Sequence, residues 1–231
     1  MRHEIPMKIG ILMTGHAPDI VQPELGDYDA MMARMLEGQG FEFAPYNVVD
    51  NEFPTGPEAA DGWLITGSKH GAYEDHAWIP PLEDLIRDIA ASGRPLVGIC
   101  FGHQIIAQAF GGKVIKHPDG WRVGATEYRI DDQTFTLNAW HQDQVIEAPE
   151  RAEIVGEAEG CKIAALRYGP NIFSVQPHPE FDTRMMVGLI EHRAPGVVPE
   201  PLRDQARDRL DTPRDDHAMA GRIADIFRKG A

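Results

Sequence analysis

Apolar and polar positions along the first half of the chain predict strands and helices in turn. Four short, largely apolar runs are typical of buried strands: 7–13, 41–49, 61–68 and 94–100. Residues 27–40, 78–93 and 103–112 instead repeat their apolar side chains at the three- and four-residue spacing of a helix, and each stretch ends in glycine. This alternation predicts an α/β fold whose sheet is largely parallel.

The second half of the chain has a different pattern. Residues 113–175 consist of short alternating runs, which predict mixed or antiparallel strands added to the sheet. A helix is predicted again over 181–193, and the residues after it are polar, helix-leaning and interrupted by prolines. Since no repeat or low-complexity linker divides the chain, we predict a single domain over 1–231. Its core is expected at about 7–193, with a C-terminal helical extension over 194–231.

Composition and charge narrow the class of protein. The chain has 231 residues, of which 42% are hydrophobic, enough for a sizeable core. Its net charge of −14 would repel phosphate backbones and anionic membranes, so neither nucleic acid nor a membrane is an expected partner. Two cysteines do not make a disulfide framework, and the N-terminal apolar stretch is too brief for a signal peptide or a span. We therefore expect a cytoplasmic protein.

Neither a metal nor a cofactor is expected from the motifs. The ten histidines do not fall at the spacing of common zinc motifs, and no GxxxxGK[ST] phosphate loop is present.

One of the cysteines lies between two glycines, where a predicted strand becomes a helix. Gly98, Cys100 and Gly102 form G-x-C-x-G, the nucleophile-elbow pattern with cysteine in place of serine. A sharp turn needs small neighbours, and the helix N-terminus would favour a thiolate. The next amide, that of Phe101, is placed to bind an oxyanion. From this motif alone, a buried structural cysteine is an equally good interpretation.

A candidate base follows another apolar strand further along the chain. His178 and Glu180 are two residues apart, so in an extended segment they face the same side, and Pro177 and Pro179 stiffen that geometry. Glu180 would then orient the imidazole, as the acid does in a Cys-His-acid triad. Taken alone, a surface histidine in a proline-rich turn is the simpler interpretation.

Together the two motifs resemble the class I, or triad-type, glutamine amidotransferases. "GICFGHQ" matches their G-[IVL]-C-x-G-[HMF]-Q pattern, and "QPHPEF" contains their H-P-E. The segments 61–75 and 140–145 also match, and the resemblance covers roughly 7–193. It is strongest to stand-alone, GMP-synthase-like members. It implies a three-layer α/β/α, flavodoxin-like fold with a central mixed, mostly parallel sheet.

The resemblance also implies the catalytic roles. Cys100 would be the nucleophile on the side-chain amide carbon of glutamine, His178 the general base and acid, and Glu180 the group that orients His178. A γ-glutamyl thioester would form, ammonia would leave, and water would release glutamate.

The remaining site residues follow from the same resemblance. The oxyanion would be held by the Phe101 amide and by the amide of either Gly67 or Ser68, in a loop where the family usually has Gly-Gly-Pro. The residues implied to contact the substrate are Gln104, His141, Gln142 and Asp143.

Three functions remain open from the sequence. The resemblance implies a glutaminase that acts on L-glutamine and supplies ammonia to a synthetase partner. A hydrolase of γ-glutamyl conjugates would use the same triad with a wider mouth, for which Tyr73 and Trp78 are candidate apolar surface. A non-catalytic regulatory subunit is the third interpretation, and the intact Cys100, His178 and Glu180 argue against it.

Overall fold

A computed structural model describes residues 6–230, in which helices cover both faces of a nine-stranded sheet. The strands are β1 (Met7–Leu12), β2 (Phe41–Tyr46), β3 (Gly62–Ile65), β4 (Leu96–Ile99), β5 (Lys113–Lys116), β6 (Arg122–Ile130), β7 (Gln133–His141), β8 (Asp143–Glu147), β9 (Glu153–Ala158), β10 (Cys161–Arg167) and β11 (Ile172–Val175). The helices are α1 (Gln22–Leu25), α2 (Tyr28–Met35), α3 (Ile79–Ser92), α4 (Phe101–Ala109), α5 (Thr183–His192), α6 (Glu200–Asp208) and α7 (Asp216–Lys229).

The order of strands in the sheet is β2-β1-β3-β4-β11-β10-β9-β6-β7. The first five strands pair in parallel, and the last four extend the sheet by antiparallel pairing. The predicted flavodoxin-like α/β fold is therefore confirmed. Because parallel strands end on the same side, the carboxyl ends of β1, β3, β4 and β11 form one edge, where open α/β sheets bind their ligands.

One feature of the second half fits the predicted mixed strands, and another differs from the prediction. Strand β11 runs parallel to β4 and belongs to the parallel part of the sheet. Strands β5 and β8 do not join the main sheet but pair with each other, and Val114 and Val145 pack beside α3 and α4. An alternating run indicates a strand, whereas its pairing partner is decided by contacts between segments far apart in sequence.

The sheet carries one apolar cluster on each face. Side chains of α2, α5 and α7 pack on one face, and those of α3 and α4 pack on the other. Successive strand residues alternate between the clusters: Leu64 faces the first, whereas Trp63 and Ile65 face the second. This gives the three layers that the resemblance implied.

The C-terminal helices are part of the same packing. Ile223 and Phe227 of α7 are buried in the cluster that also holds Ile9 and Met31. The predicted single domain includes residues 1–5 and 231, which lie outside the described residues. Between residues 6 and 230, no helix has the length and apolar character needed to cross a membrane.

Candidate active site

The turn between β4 and α4 consists of Cys100 alone, as the elbow pattern predicts. Its φ of 54° is in the left-handed region, which costs a non-glycine residue about 1–3 kcal/mol and is found at functional turns. The Cys100 amide donates to the Val175 carbonyl at 2.9 Å, and the Gln104 amide donates to the Cys100 carbonyl at 3.1 Å. The thiol therefore stands at the N-terminus of α4, where the helix dipole favours negative charge.

The glycines on either side of the elbow are required by close backbone approach. A Cβ on Gly98 would lie 2.5 Å from the carbonyl carbon of Gly102, and a Cβ on Gly102 would lie 2.4 Å from the carbonyl oxygen of Ile65. These neighbours are backbone atoms of a packed strand and helix, so they cannot move aside easily.

Gly102→Ala is therefore expected to destabilise the fold by about 1–3 kcal/mol through overpacking, and to lower activity by displacing the elbow. Urea unfolding and a hydrolysis assay would measure both effects. Gly221→Ala is the matched control, because nothing lies within 4 Å of a Cβ at this glycine of α7. That change should leave stability equal or raise it by up to about 1 kcal/mol. Equal stability for both variants would contradict the packing argument.

The predicted histidine–glutamate pair forms directly after β11. His178 Nδ1 lies 2.7 Å from Glu180 Oε1, and both side chains are almost fully buried. The imidazole stacks on Phe181 with 3.9 Å between ring centroids, and the His178 amide donates to the Asn138 carbonyl of β7 at 2.8 Å. The position of the His178 ring is thus fixed by the Glu180 carboxylate, by stacking on Phe181 and by a backbone hydrogen bond to β7.

The other nitrogen of His178 is available for a further hydrogen bond. Among residues 6–230, His178 Nε2 has no hydrogen-bond partner, although it is buried. Burial lowers the pKa of His178, but the Glu180 carboxylate and the Cys100 sulfur outweigh it and raise the pKa to about 10. The imidazole therefore holds a proton at neutral pH, as a general acid must.

Two threonine hydroxyls hydrogen-bond to the loop after β3. The Gly67 carbonyl accepts from Thr14 Oγ1 at 3.0 Å and from Thr66 Oγ1 at 3.1 Å. In a trans peptide the carbonyl and the following N–H point in opposite directions, so the Ser68 N–H points away from Thr14. A Cβ on Gly67 would lie 3.8 Å from the Cys100 Cβ, so the loop passes beside the elbow. No signal in the sequence indicated Thr14, which lies two residues after β1 and has no motif of its own.

A cavity of about 530 Å³ opens over Cys100. The structure places all four predicted substrate residues on its wall: Gln104, His141, Gln142 and Asp143. Tyr73 also lines it, as predicted, and its hydroxyl donates to Asp143 Oδ2 at 3.1 Å. Trp78 is different from the prediction, because it is buried against Phe101 rather than on the cavity wall.

Hydrogen bonds orient the wall residues, and burial shifts the pKa values of two of them. Gln104 Nε2 donates to the Asp143 carbonyl at 2.9 Å. Burial, together with the charge of His178, lowers the pKa of His141 to about 3, so His141 is neutral. Burial also raises the pKa of the Asp143 carboxyl.

Several residues near Cys100 were not among the site residues predicted from the sequence. Gln176 Nε2 lies 3.6 Å from the Cys100 sulfur, within reach of a weak hydrogen bond, and its Oε1 accepts from Gln104 at 3.2 Å. The rim adds two aromatic rings, Trp121 and Trp140, and three cations, Lys69, Lys116 and Arg193. Gln176 lies two residues before His178, so the neighbourhood of the motif was the available signal. The rim residues come from separate segments, and no motif in the sequence indicated them.

His103 and Cys161 have packing roles. His103 Nδ1 accepts from the Ser174 hydroxyl at 2.8 Å, and its Nε2 donates to the Ile163 carbonyl at 3.1 Å. Cys161 is buried in β10 and does not line the cavity. Neither residue is placed to act as a second base or nucleophile there.

Three side chains of metal-ligand type meet at the cavity mouth, although the sequence spacing predicted no metal. Glu74 Oε2 lies 3.4 Å from His70 Nδ1 and 2.7 Å from His76 Nε2. All three ligand atoms lie within 4.8 Å of one another. We call His70, Glu74 and His76 the mouth cluster. A loop pattern H-x-x-x-E-x-H was the signal in the sequence.

A strained cysteine lies at a strand–helix elbow, and a buried histidine–glutamate pair follows the neighbouring strand. Thiol-dependent amide hydrolases and transferases use this arrangement of residues. The sequence model for glutamine amidotransferase class-I matches residues 28–189, more than half of the chain. The chain therefore belongs to the class-I glutamine amidotransferase family and is an enzyme of that family, as the resemblance predicted.

Individual relatives and structures agree with this assignment. Gamma-glutamyl peptidase 3 of Arabidopsis thaliana is 25% identical over 230 residues, and the match covers 92% of each chain. A glutamine-hydrolysing GMP synthase of Clostridium novyi is 31% identical over 170 residues, which are 68% of this chain but 31% of that protein. The fold matches a glutamine amidotransferase structure from Thermotoga maritima with a TM-score of 0.75 and 21% identity, over 98% of this chain and 97% of that one.

Proposed function

We propose that this enzyme hydrolyses γ-glutamyl amides through a thioester on Cys100, and that its leaving group is an amine larger than ammonia. The observation that carries the proposal is the cavity of about 530 Å³ over Cys100, with aromatic rings and cations at its rim. Free glutamine would fill only part of such a cavity. The full-length similarity to a protein named gamma-glutamyl peptidase supports the same substrate class.

In the proposed mechanism, the thiol proton is held by His178 and the sulfur attacks the γ-carbonyl carbon. The C–N bond of the tetrahedral intermediate then breaks, and His178 gives its proton to the leaving amine. Water, deprotonated by His178, attacks the thioester and releases glutamate and the thiol. Glu180 keeps the imidazole in one tautomer and offsets its charge throughout.

We assign the oxyanion site to the amides of Phe101 and Ser68. Phe101 begins α4, so its N–H is among those that a helix leaves without an intrahelical partner. The Gly67 carbonyl is held toward Thr14, which supports Ser68 rather than Gly67 as the second donor. Lys69 occupies the position where the family usually has proline, and this departure does not remove the Ser68 N–H.

The γ-glutamyl half of the substrate is proposed to bind at Gln104, His141, Gln142 and Asp143. The Asp143 carboxylate suits the substrate's α-ammonium group, and Gln104 suits either end of the amino acid. The leaving half would lie toward Trp121, Trp140 and Arg193, a surface suited to apolar groups and a carboxylate.

A second candidate is hydrolysis of free L-glutamine, with a synthetase partner that accepts the ammonia. The family assignment and the local similarity to GMP synthase favour it. We also propose that residues 1–231 act as one domain in the cytoplasm, which two free thiols and the packing of α7 support.

Comparison of two substrates separates the candidates. We expect kcat/KM for γ-glutamyl-phenylalanine to exceed that for L-glutamine by at least about tenfold, because the aromatic rim contacts only the larger leaving group. Released glutamate would be measured for both. The α-linked isomer, α-glutamyl-phenylalanine, is the control and should not be cleaved. A preference of the same size for glutamine would instead establish the second candidate.

A further inference from the structure

We infer that the mouth cluster of His70, Glu74 and His76 is a binding site for a divalent transition-metal ion such as Zn²⁺. The proposed hydrolysis uses none of these three side chains. Two imidazole nitrogens and one carboxylate oxygen are a donor set that suits Zn²⁺, Co²⁺ or Ni²⁺ more than Mg²⁺ or Ca²⁺.

The distances from the Glu74 oxygen to the two imidazole nitrogens bracket the spacing that such an ion requires. With metal–ligand bonds of about 2.0–2.1 Å, tetrahedral ligands lie about 3.3 Å from one another. Glu74 Oε2 is 3.4 Å from His70 Nδ1, and it is 2.7 Å from His76 Nε2. To bind the ion, Glu74 Oε2 and His76 Nε2 would move apart by less than one metal–ligand bond length. The ion would then take the place of the hydrogen bond between them.

Both imidazoles pack against Trp78, and this packing fixes their positions. The His76 ring stacks on Trp78 at 5.8 Å between centroids, and the His70 ring meets the edge of the same indole at 5.9 Å. Trp78 is itself buried against Phe101, the residue after the nucleophile. Ligands that are oriented before the ion arrives lose less conformational entropy on binding.

The site is also accessible. The three side chains are 22%, 42% and 34% exposed for His70, Glu74 and His76 respectively, so an ion and its remaining waters can enter from solvent. His70 and Glu74 also line the cavity over Cys100. A bound ion would therefore cross-link the segment that leads from the Ser68 amide to α3, and would place open coordination positions at the cavity mouth.

The test is a metal titration of the full chain in a Cys100→Ala background. This background removes the cavity thiol as a competing ligand, and metal binding is measured without a hydrolysis assay, so the result is independent of the proposed function. We expect one equivalent of Co²⁺ to bind with visible d–d absorption, and Zn²⁺ to displace it. Zn²⁺ should also raise the melting temperature of the background protein.

Single variants locate the ion. His70→Ala, Glu74→Gln and His76→Ala should each weaken binding by at least about tenfold, since each removes one ligand. His192→Ala is the matched control, a rim histidine near a glutamate, with His192 Nε2 and Glu191 Oε2 3.9 Å apart. It should bind as the background does, and circular dichroism would show that every variant is folded. Absence of binding, or equal affinity in all four variants, would overturn the inference.

Discussion

Cys100→Ala is expected to lower kcat for γ-glutamyl amide hydrolysis by about 10⁴-fold or more, since removal of a nucleophile leaves only binding and oxyanion stabilisation. Loss of one sulfur atom leaves the other residues that line the cavity in place, so the substrate should still bind. Steady-state kinetics would measure the loss, equilibrium binding of the dipeptide would show that the cavity is intact, and mass spectrometry of quenched wild-type enzyme would show the acyl adduct.

Cys161→Ala is the matched control for this experiment. Cys161 is the other free cysteine; it is buried in β10 and does not line the cavity. Its truncation should cost some stability through the small space it leaves, but kcat should stay within about twofold of the wild type. If Cys100→Ala retained more than about a hundredth of the activity, the thioester mechanism would be wrong.

Glu180→Gln is expected to lower kcat by about 10²- to 10⁴-fold, because a neutral amide neither fixes the His178 tautomer nor stabilises the imidazolium. The pH dependence should change as well. Burial lowers the pKa of His178, and the Glu180 carboxylate and the Cys100 sulfur raise it to about 10. Without the carboxylate the pKa of His178 falls, so the proton needed by the leaving amine is lost at lower pH. The alkaline limb of the kcat/KM profile should therefore move to lower pH.

Profiles of kcat/KM between about pH 6 and 11 would measure this shift. Glu200→Gln, at the exposed start of α6, removes the same charge from a residue that does not line the cavity, and it should leave both kcat and the profile unchanged. An unchanged alkaline limb in Glu180→Gln would show that Glu180 does not govern the proton on His178.

The choice of substrate depends on the rim of the cavity rather than on the triad. The triad can act on any γ-glutamyl amide, so the substrate class is decided by what the rim accepts. Trp121 lies directly before β6 and Trp140 near the end of β7, and their ring centroids are 5.8 Å apart. In the proposed function, this rim would contact a leaving group larger than ammonia.

Local patterns in the sequence determined the elements and the chemistry. Apolar runs and helical spacing predicted β1, β3, β4, α2, α3 and α4, because burial of one face imposes a period on the chain. The elbow around Cys100 and the pair His178–Glu180 were also predictable, since each is made by neighbouring residues whose geometry depends on glycine or proline.

Tertiary structure alone decided what joins segments far apart in the chain. It placed β11 beside β4, which brings His178 to Cys100, and it paired β5 with β8 outside the main sheet. It oriented the Gly67 peptide through a hydrogen bond from Thr14, and it placed the three side chains of the mouth cluster together beside the cavity. The physical reason is that a residue's neighbours in sequence set its backbone preference, whereas strand pairing, burial and electrostatic surroundings arise only when distant segments pack together.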